Sequence, residues 1–509
     1  MKRIAPTSLR VAALCVAAAS TSQFAQEPAR PAGYPAVPGP LTAKYQATAD
    51  KILAAAMSDT DGYADLQYLC DYIGNRNSGS PQLNTAIAWG ADLMKKAGLS
   101  NVHVQPAMVP HWVRGEEDAE FVAPVKKKMH MLGLGMSVGT GPQGITAEVV
   151  FVHTFDELDA LPDSAVKGKI VVLNPGWHGY GVNSGYRTGS ASRAAKKGAV
   201  AVLVRAATPL AQQLPHTGTL NYAEGVVKIP AAAISIEDAT MIERLTKEGP
   251  VTVHLKMDAQ QLPDVQAGNV IGELPGSEHP EQVVVLGGHI DSWDVGQGAQ
   301  DDGSGIMATF EAVSLLHKLG LKPKRTVRIV FWVNEETLGR GAQAYAKGLG
   351  DTVSTHVAAI EMDNGAERPL GMNYGSFGGP RGGGGGRAAG APRVNPGAGF
   401  DMSKLAPEDK ASVDAMLDLV AMLKPIDAAT WAPGGGGSDI GPIVAEGVPA
   451  LSPHTVGEHY FDWHHTEADS FDKVDLTDFR KNIGMLAVTA YVLADMDGTL
   501  AGHKGVFRE

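Results

Sequence analysis

Two imidazoles and a set of carboxylates recur in the second half of this 509-residue chain, each beside a run of aliphatic residues. His289 and Asp291 follow the run 283–286. Asp301 and Asp302 stand just ahead of an apolar pattern that begins near Gly305. Glu335 and Glu336 close the run 328–333, Asp363 follows Ile360, and His465 precedes the last amphipathic stretch. Singly, each has an ordinary reading, because a histidine after a strand is commonly a hydrogen-bonded structural group and an aspartate before a helix is commonly its N-cap. Jointly they describe a different chemistry. Ligands of open α/β sheets collect outside the carboxyl ends of strands, and acids gathered there repel one another unless a cation lies between them. Imidazole and carboxylate donors without cysteine suit zinc, with manganese or cobalt as substitutes.

The elements that must position these groups can be read from hydrophobic periodicity. Apolar runs at 282–286, 326–333 and 356–362 predict strands, with helices at 305–319 and 341–348 between them. That alternation predicts an α/β fold whose sheet is largely parallel and covered on both faces. Amphipathic helices are expected at 412–423 and 476–495. Upstream, 46–57 and 82–97 read as helices, the second stopped at Gly98, and 102–104 as a short strand. Between 120 and 263 the texture changes to short β-branched runs at 149–152, 170–173 and 200–204 with one helix at 190–197. This predicts a compact α/β insertion that divides one domain into the parts 45–119 and 264–509. Residues 373–400 are dominated by glycine and predict a mobile surface loop.

Composition narrows the function classes. A hydrophobic fraction of 44% and a charged fraction of 19% are those of a globular protein. A net charge of -12 with no basic block excludes nucleic acid or an anionic membrane as the main partner. Lys2, Arg3 and Arg10 flank an alanine-rich stretch, 11–19, too short to span a bilayer. Residues 1–25 therefore predict a signal peptide and a secreted or periplasmic address, followed by an extended proline-rich linker at 26–44. Bulky Leu14 argues against a lipid anchor at Cys15, which leaves Cys70 as the one thiol of the exported chain, with no disulfide and no membrane span. No H-E-x-x-H pattern of single-zinc proteases is present.

The combined pattern is Gly287-Gly288-His289-Ile290-Asp291-Ser292-Trp293-Asp294, then Asp301-Asp302-Gly303-Ser304-Gly305, Asn334-Glu335-Glu336, Glu361-Met362-Asp363 and His465-Thr466-Glu467-Ala468-Asp469. It resembles the family of co-catalytic zinc aminopeptidases that also contains glutamate carboxypeptidase, and the resemblance spans nearly all of the chain beyond the leader. Residues 167–173, 197–203 and 229–236 resemble the protease-associated domain, which assigns 120–263 to such an insertion. The resemblance implies a three-layer αβα zinc-exopeptidase domain with a mostly parallel central sheet. It implies a homodimer formed through the insertion.

For the site, the resemblance implies two zinc ions: His289 and Asp363 on one, Glu336 and His465 on the other, Asp301 bridging both. Glu335 would be the general base, and Asp291 would orient the His289 imidazole. His464 and His465 are adjacent, and the pattern His-Thr-x-x-Asp favours His465 as the ligand. His464 then stands either as an oxyanion donor or as a packing or surface residue. Asp439 is either close to the site or a helix cap, and His454 and His459 are rival ligands that lie off the pattern. A cis peptide is implied between Asp301 and Asp302. The expected activity is hydrolysis of dipeptides or short peptides with a free amino end. The alternatives are a carboxypeptidase acting on acidic terminal residues and a non-catalytic peptide-binding protein, the latter predicting lost ligands where none is lost.

Overall fold

A computed structural model describes residues 33–375 and 400–504. The expected signal peptide, the first part of the linker, and 376–399 of the glycine-dominated stretch lie outside the described residues. The main sheet has nine strands. From edge to edge these are Tyr34–Pro35, Thr430–Pro433, Pro369–Tyr374, Ala450–Thr455, His356–Glu361, His279–His289, Arg325–Trp332, Gln260–Leu274 and Ser100–Val113. The four central strands, 450–455, 356–361, 279–289 and 325–332, pair in parallel, as the alternating pattern predicts. Beyond them the flanking pairings are antiparallel, apart from 371–374 with 430–433.

Successive side chains of a strand face opposite sides, and residues 283–286 show what that requires when both sides are dry. Val284 and Leu286 join the core shared with the helices Pro40–Ser58, Ser304–Lys318 and Leu476–Asp495. Val283 and Val285 join the opposite core with Trp332, Tyr345 and Ile443, under the helix Arg340–Leu349. The layers are therefore helix, sheet, helix. A continuous apolar run is what such a doubly covered strand demands.

A second sheet of eight strands is built from residues between Glu117 and Met257. Its central strands Ile145–Val152, Ile170–Leu173, Ala201–Arg205 and Ala231–Ile234 are parallel. It carries an apolar core of its own on each face, one around Phe121 and Ile242, the other around Leu158 and Ala194.

Three elements differ from expectation. The chain before residue 45 is not an extended linker throughout: Tyr34–Pro35 pairs at the sheet edge, and a helix begins at Pro40. Proline suits the first helical position, where its missing N–H is no loss. The amides of Gly39, Leu41 and Thr42 all donate to the Asp418 carboxylate, a cap supplied from far along the chain. The expected strand 102–104 extends over Ser100–Val113, because it pairs with Gln260–Leu274 along an exposed ribbon that leaves no apolar alternation to read. The expected helix 190–197 begins ten residues earlier, at Tyr180, since Gly181, Gly185 and Gly189 disguise its first turns.

The loop after the strand His279–His289 is held from below by Arg76, which is fully buried. Its guanidinium donates to the carbonyls of Gly74, Ile290, Gln297 and Gly298 at 2.7–2.9 Å. Arg76→Met would leave four carbonyls unpaired, and an unpaired buried polar group costs about 1–3 kcal/mol. A loss of about 3–5 kcal/mol is expected, read as a fall in the urea midpoint. An unchanged midpoint would show that the loop stands without this residue.

Candidate metal centre

His289 ends its parallel strand, Asp363 lies two residues past its neighbour's end, and Glu336 lies in the loop after 325–332. Asp301 sits in the tight turn 299–303 that leads into the helix Ser304–Lys318, and His465 in the loop before the last helix. The fold brings all five together. His289 Nε2 is 3.2 Å from Asp301 Oδ1 and 3.6 Å from Asp363 Oδ1. His465 Nε2 is 3.1 Å from Asp301 Oδ2 and 3.0 Å from Glu336 Oε2. Asp301 thus faces one imidazole with each oxygen. Three overlapping groups have donor atoms close enough to share an ion: His289 with Asp301 and Glu336, His289 with Asp302 and Asp363, and Asp301 with His464 and His465.

Both imidazoles are oriented by carbonyls. His289 Nδ1 lies 2.9 Å from the carbonyl oxygen of Asp291, and His465 Nδ1 lies 3.3 Å from that of Thr217. A carbonyl only accepts, so each Nδ1 carries the proton and each Nε2 faces the carboxylates. The Asp291 carboxylate therefore does not hold the ring as expected, being 3.9 Å from Nδ1. It instead accepts from the Glu335 amide at 3.1 Å and from Ser78 Oγ at 3.4 Å, which pins the loop carrying Glu335 and Glu336.

Asp302 accepts from the His289 amide at 3.0 Å, and the peptide bond before it is cis, as the resemblance implies. A side chain at Gly288 would meet Asp302 Oδ2 at 2.0 Å, so that position must be glycine for Asp302 to fit. Asp469, four residues past His465, is buried. Its carboxylate accepts from the amides of Gln300 and Asp301 at 2.7 and 3.1 Å and so fixes the turn.

The charges are strongly interdependent. Burial pushes the Glu336 carboxyl up to about 8, with Asp301 adding to the effect, and pushes Asp363 up to about 6. Burial also opposes the charge on Asp301, yet His464, His289 and His465 outweigh it and hold that carboxyl well below its usual range. Burial would lower His289 and His465, but the facing carboxylates raise both well above the usual imidazole value. Without a cation the cluster keeps protons that a cation would displace. His289 Nε2, Asp301 Oδ2 and Glu336 Oε1 are buried with no hydrogen-bond partner among the described residues, so the donor set fits a metal.

The remaining sequence candidates separate cleanly. His464 is buried, stacked on His465 with ring centroids 3.5 Å apart, and its Nε2 is 3.3 Å from Asp301 Oδ2, which removes the surface reading. His454 lies on the strand Ala450–Thr455 and His459 pairs with Asp462 at 2.9 Å; neither joins the three groups. Asp439 is buried, and no side-chain bond caps the helix Gly441–Ala445, so the cap reading fails. The Ile440 amide donates to Glu361 instead, at 2.8 Å.

A serine-hydrolase reading was set aside for want of a G-x-S-x-G run, but one does stand at 135–139. Ser137 there accepts from the Ala231 amide at 2.9 Å and donates to the Val138 carbonyl, remote from any helix start, so it is structural. Sequence reasoning missed Tyr460, whose hydroxyl donates to Asp363 at 3.3 Å, and it missed the contribution of Tyr180, Arg187 and Thr217 from the second sheet's unit. No local pattern announces such contacts.

A mixed sheet carrying an imidazole and carboxylate crevice at its parallel strand ends is the architecture of a metal-dependent hydrolase. Residues 269–490 match the model of peptidase family M28. The chain is 39% identical to carboxypeptidase Q of Bos taurus and 38% identical to that of Homo sapiens, over 86% of both chains in each comparison. The crystal structure of a peptidase M28 precursor from Shewanella amazonensis superposes with a TM-score of 0.78 at 29% identity, covering 90% of this chain and 98% of that one. A zinc aminopeptidase from Bacillus subtilis shares the fold, with a TM-score of 0.60 at 19% identity over 86% and 95% of the two chains. The chain belongs to peptidase family M28 and is a metallo-exopeptidase.

The shifted groups set a pH dependence for the metal-stripped protein. An acid raised from 4.5 to about 8, as in Glu336, binds more protons folded than unfolded, so stability falls as pH rises through that window. Imidazoles raised above 6.5 act in the same direction as pH rises past that value. The melting temperature of chelator-treated protein is expected to fall between about pH 5 and pH 8, and a divalent cation should flatten that slope. A stripped protein that grows more stable across this range would contradict the charge assignment.

Proposed function

We propose that this exopeptidase hydrolyses the peptide bond next to a free α-amino group in dipeptides or short peptides, with two zinc ions as cofactors. The observation that carries the reading is that Asp301 faces His289 with one oxygen and His465 with the other, beside Glu336 Oε1 and Asp302 Oδ1, which have no hydrogen-bond partner among the described residues. In this reading His289 and Asp363 would hold one ion, Glu336 and His465 the other, and Asp301 would serve both. When bound, such a pair supplies Lewis acidity and lowers the pKa of the attacking water.

The chain's own groups do the rest. Glu335, its amide anchored on Asp291, takes a proton on its carboxylate and returns it to the leaving amine. Asp291 acts as a positioning residue through that anchor and through its carbonyl on His289. His464 is buried with its Nε2 turned to the cluster, 3.3 Å from Asp301 Oδ2, a position that suits a hydrogen-bond donor to a developing oxyanion. The second sheet's unit is a protease-associated domain in this reading. Export under the N-terminal leader and a homodimer through the inserted unit belong to the same proposal; sedimentation as a monomer at micromolar concentration would remove the dimer.

The relatives carry both carboxypeptidase and aminopeptidase names, so the end of the peptide that is read needs a direct test. Zinc-loaded protein should release new amines from free dipeptides but not from their N-acetylated forms. Glu335→Ala should lower turnover by about 10³-fold or more while zinc content stays unchanged. Lost zinc in that variant would exchange the roles of Glu335 and Glu336. Cleavage of the acetylated set would favour a carboxypeptidase, and no cleavage of any peptide would favour a binding protein.

A further inference from the structure

Asp294 closes the run that begins at Gly287, yet it belongs to none of the three donor groups. It lies in the loop that leaves His289. Its partner is Arg114, which stands between the strands Ser100–Val113 and Glu117–Ala123, where the chain first enters the inserted unit. The guanidinium is 9% exposed and grips the carboxylate with two bonds, Nε to Oδ2 at 2.8 Å and Nη2 to Oδ1 at 2.6 Å. Such a fork fixes distance and angle together, which a lysine ammonium does not.

The other bonds of Arg114 reach into the inserted unit. Nη1 donates to the Gly133 carbonyl, and Nη2 also donates to Thr217 Oγ1 at 3.3 Å. The Thr217 hydroxyl donates in turn to the Gly133 carbonyl at 2.8 Å. The backbone of the same threonine holds His465, its carbonyl against the ring and its amide on the His465 carbonyl. One cation thus joins the loop of His289 to the support of His465. Beside it Trp293 fills a slot in the inserted unit, where a Cβ on Gly135 would fall 1.9 Å from the indole. Trp112 meets that indole edge-on, with ring centroids 6.4 Å apart, and the two form a small buried seam with Ala259. Apolar contact is non-directional, so the orientation across the seam rests on hydrogen bonds such as those of Arg114.

Resting on the two-ion reading above, we infer that Arg114 is a positioning residue that couples docking of the inserted unit to metal binding. The ion held by Glu336 and His465 is bound at full strength only while the guanidinium bridges Asp294 and Thr217. Coupling of this kind is reciprocal, so that ion in turn fastens the inserted unit to the sheet domain. The ion at His289 and Asp363 depends on the bridge less, because Arg76 supports the loop after His289 independently.

The test is calorimetric titration of zinc into metal-stripped full chain. The parent should take up two ions, and His465→Ala should mark which step belongs to His465. Arg114→Met should weaken that step by about 10- to 100-fold, as for loss of a group that orients a ligand, and leave the other within about threefold. Arg114→Lys should recover little of the loss. Asp294→Asn should weaken the same step by a smaller factor, and adding it to Arg114→Met should cost nothing further, since both remove one bridge. Asp294→Asn keeps the guanidinium and decides the matter if Arg114→Met does not fold. Unchanged steps would overturn the inference, and so would two steps weakened alike, the mark of general destabilisation. A parent that takes up a single ion would end the two-ion reading by itself. Arg114→Met would then still decide the coupling, sustained by a tenfold loss and overturned by an unchanged affinity.

Discussion

The placement of Asp301 between two buried imidazoles is the constraint around which the rest of the molecule is arranged. Each of its oxygens faces an Nε2 atom at 3.1–3.2 Å, while Glu336 and Asp363 crowd the same space. Bringing several carboxylates out of water into one cluster is unfavourable unless positive charge comes with them. Protonated imidazoles supply part of it, and the unpartnered oxygens of Asp301 and Glu336 show that they do not supply all. The surrounding structure serves this arrangement. Arg76 supports the loop beneath His289, Asp469 ties down the turn carrying Asp301, and Asp291 secures the amide of Glu335.

The same constraint explains why two glycines precede His289. A Cβ on Gly287 would strike the Val330 carbonyl at 1.9 Å, and one on Gly288 would strike Asp302. The strand thus gives up side chains at its end so that neighbouring backbone and carboxylate can close in. His465 needs comparable support. Its φ of 63° lies in the left-handed region that residues with side chains rarely adopt. The Thr217 amide donates to its carbonyl at 3.0 Å, and the Thr217 carbonyl faces its ring. The inserted unit therefore does not merely sit beside the centre: one loop of it holds a residue of the cluster in place. Tyr180 reinforces this contact, stacking on Phe461 and meeting the edge of His464.

Much of the fold was legible because burial leaves a strong imprint on sequence. Residues 283–286 are apolar on both faces since both faces are covered, and the helix Leu476–Asp495 carries a largely apolar run where it is buried all round, from Asn482 to Ala490. Elements on the surface or built from glycine were harder. The first half of the ribbon Ser100–Val113 has no buried position, so no alternation marks its start, and the helix from Tyr180 opens on residues of poor helical propensity. The start at Pro40 depends on Asp418, a cap 376–379 residues away that no local window contains.

For the site, the residue types that stand at successive strand ends are legible in the chain, and that is why His289, Asp301, Glu336, Asp363 and His465 could be named together. Strand ends are local features, and a sheet must bring its carboxyl ends to one edge. The folded packing alone fixes which groups orient the two imidazoles, the carbonyl rather than the carboxylate of Asp291 on His289 and the Thr217 carbonyl on His465, and it sets Glu361 rather than Asp439 on the Ile440 amide. Only it placed Arg187 behind the cluster, 278 residues from His465 in sequence. Contacts between units separated by hundreds of residues leave no periodicity to read, because each partner's local pattern is satisfied whether or not the other is there.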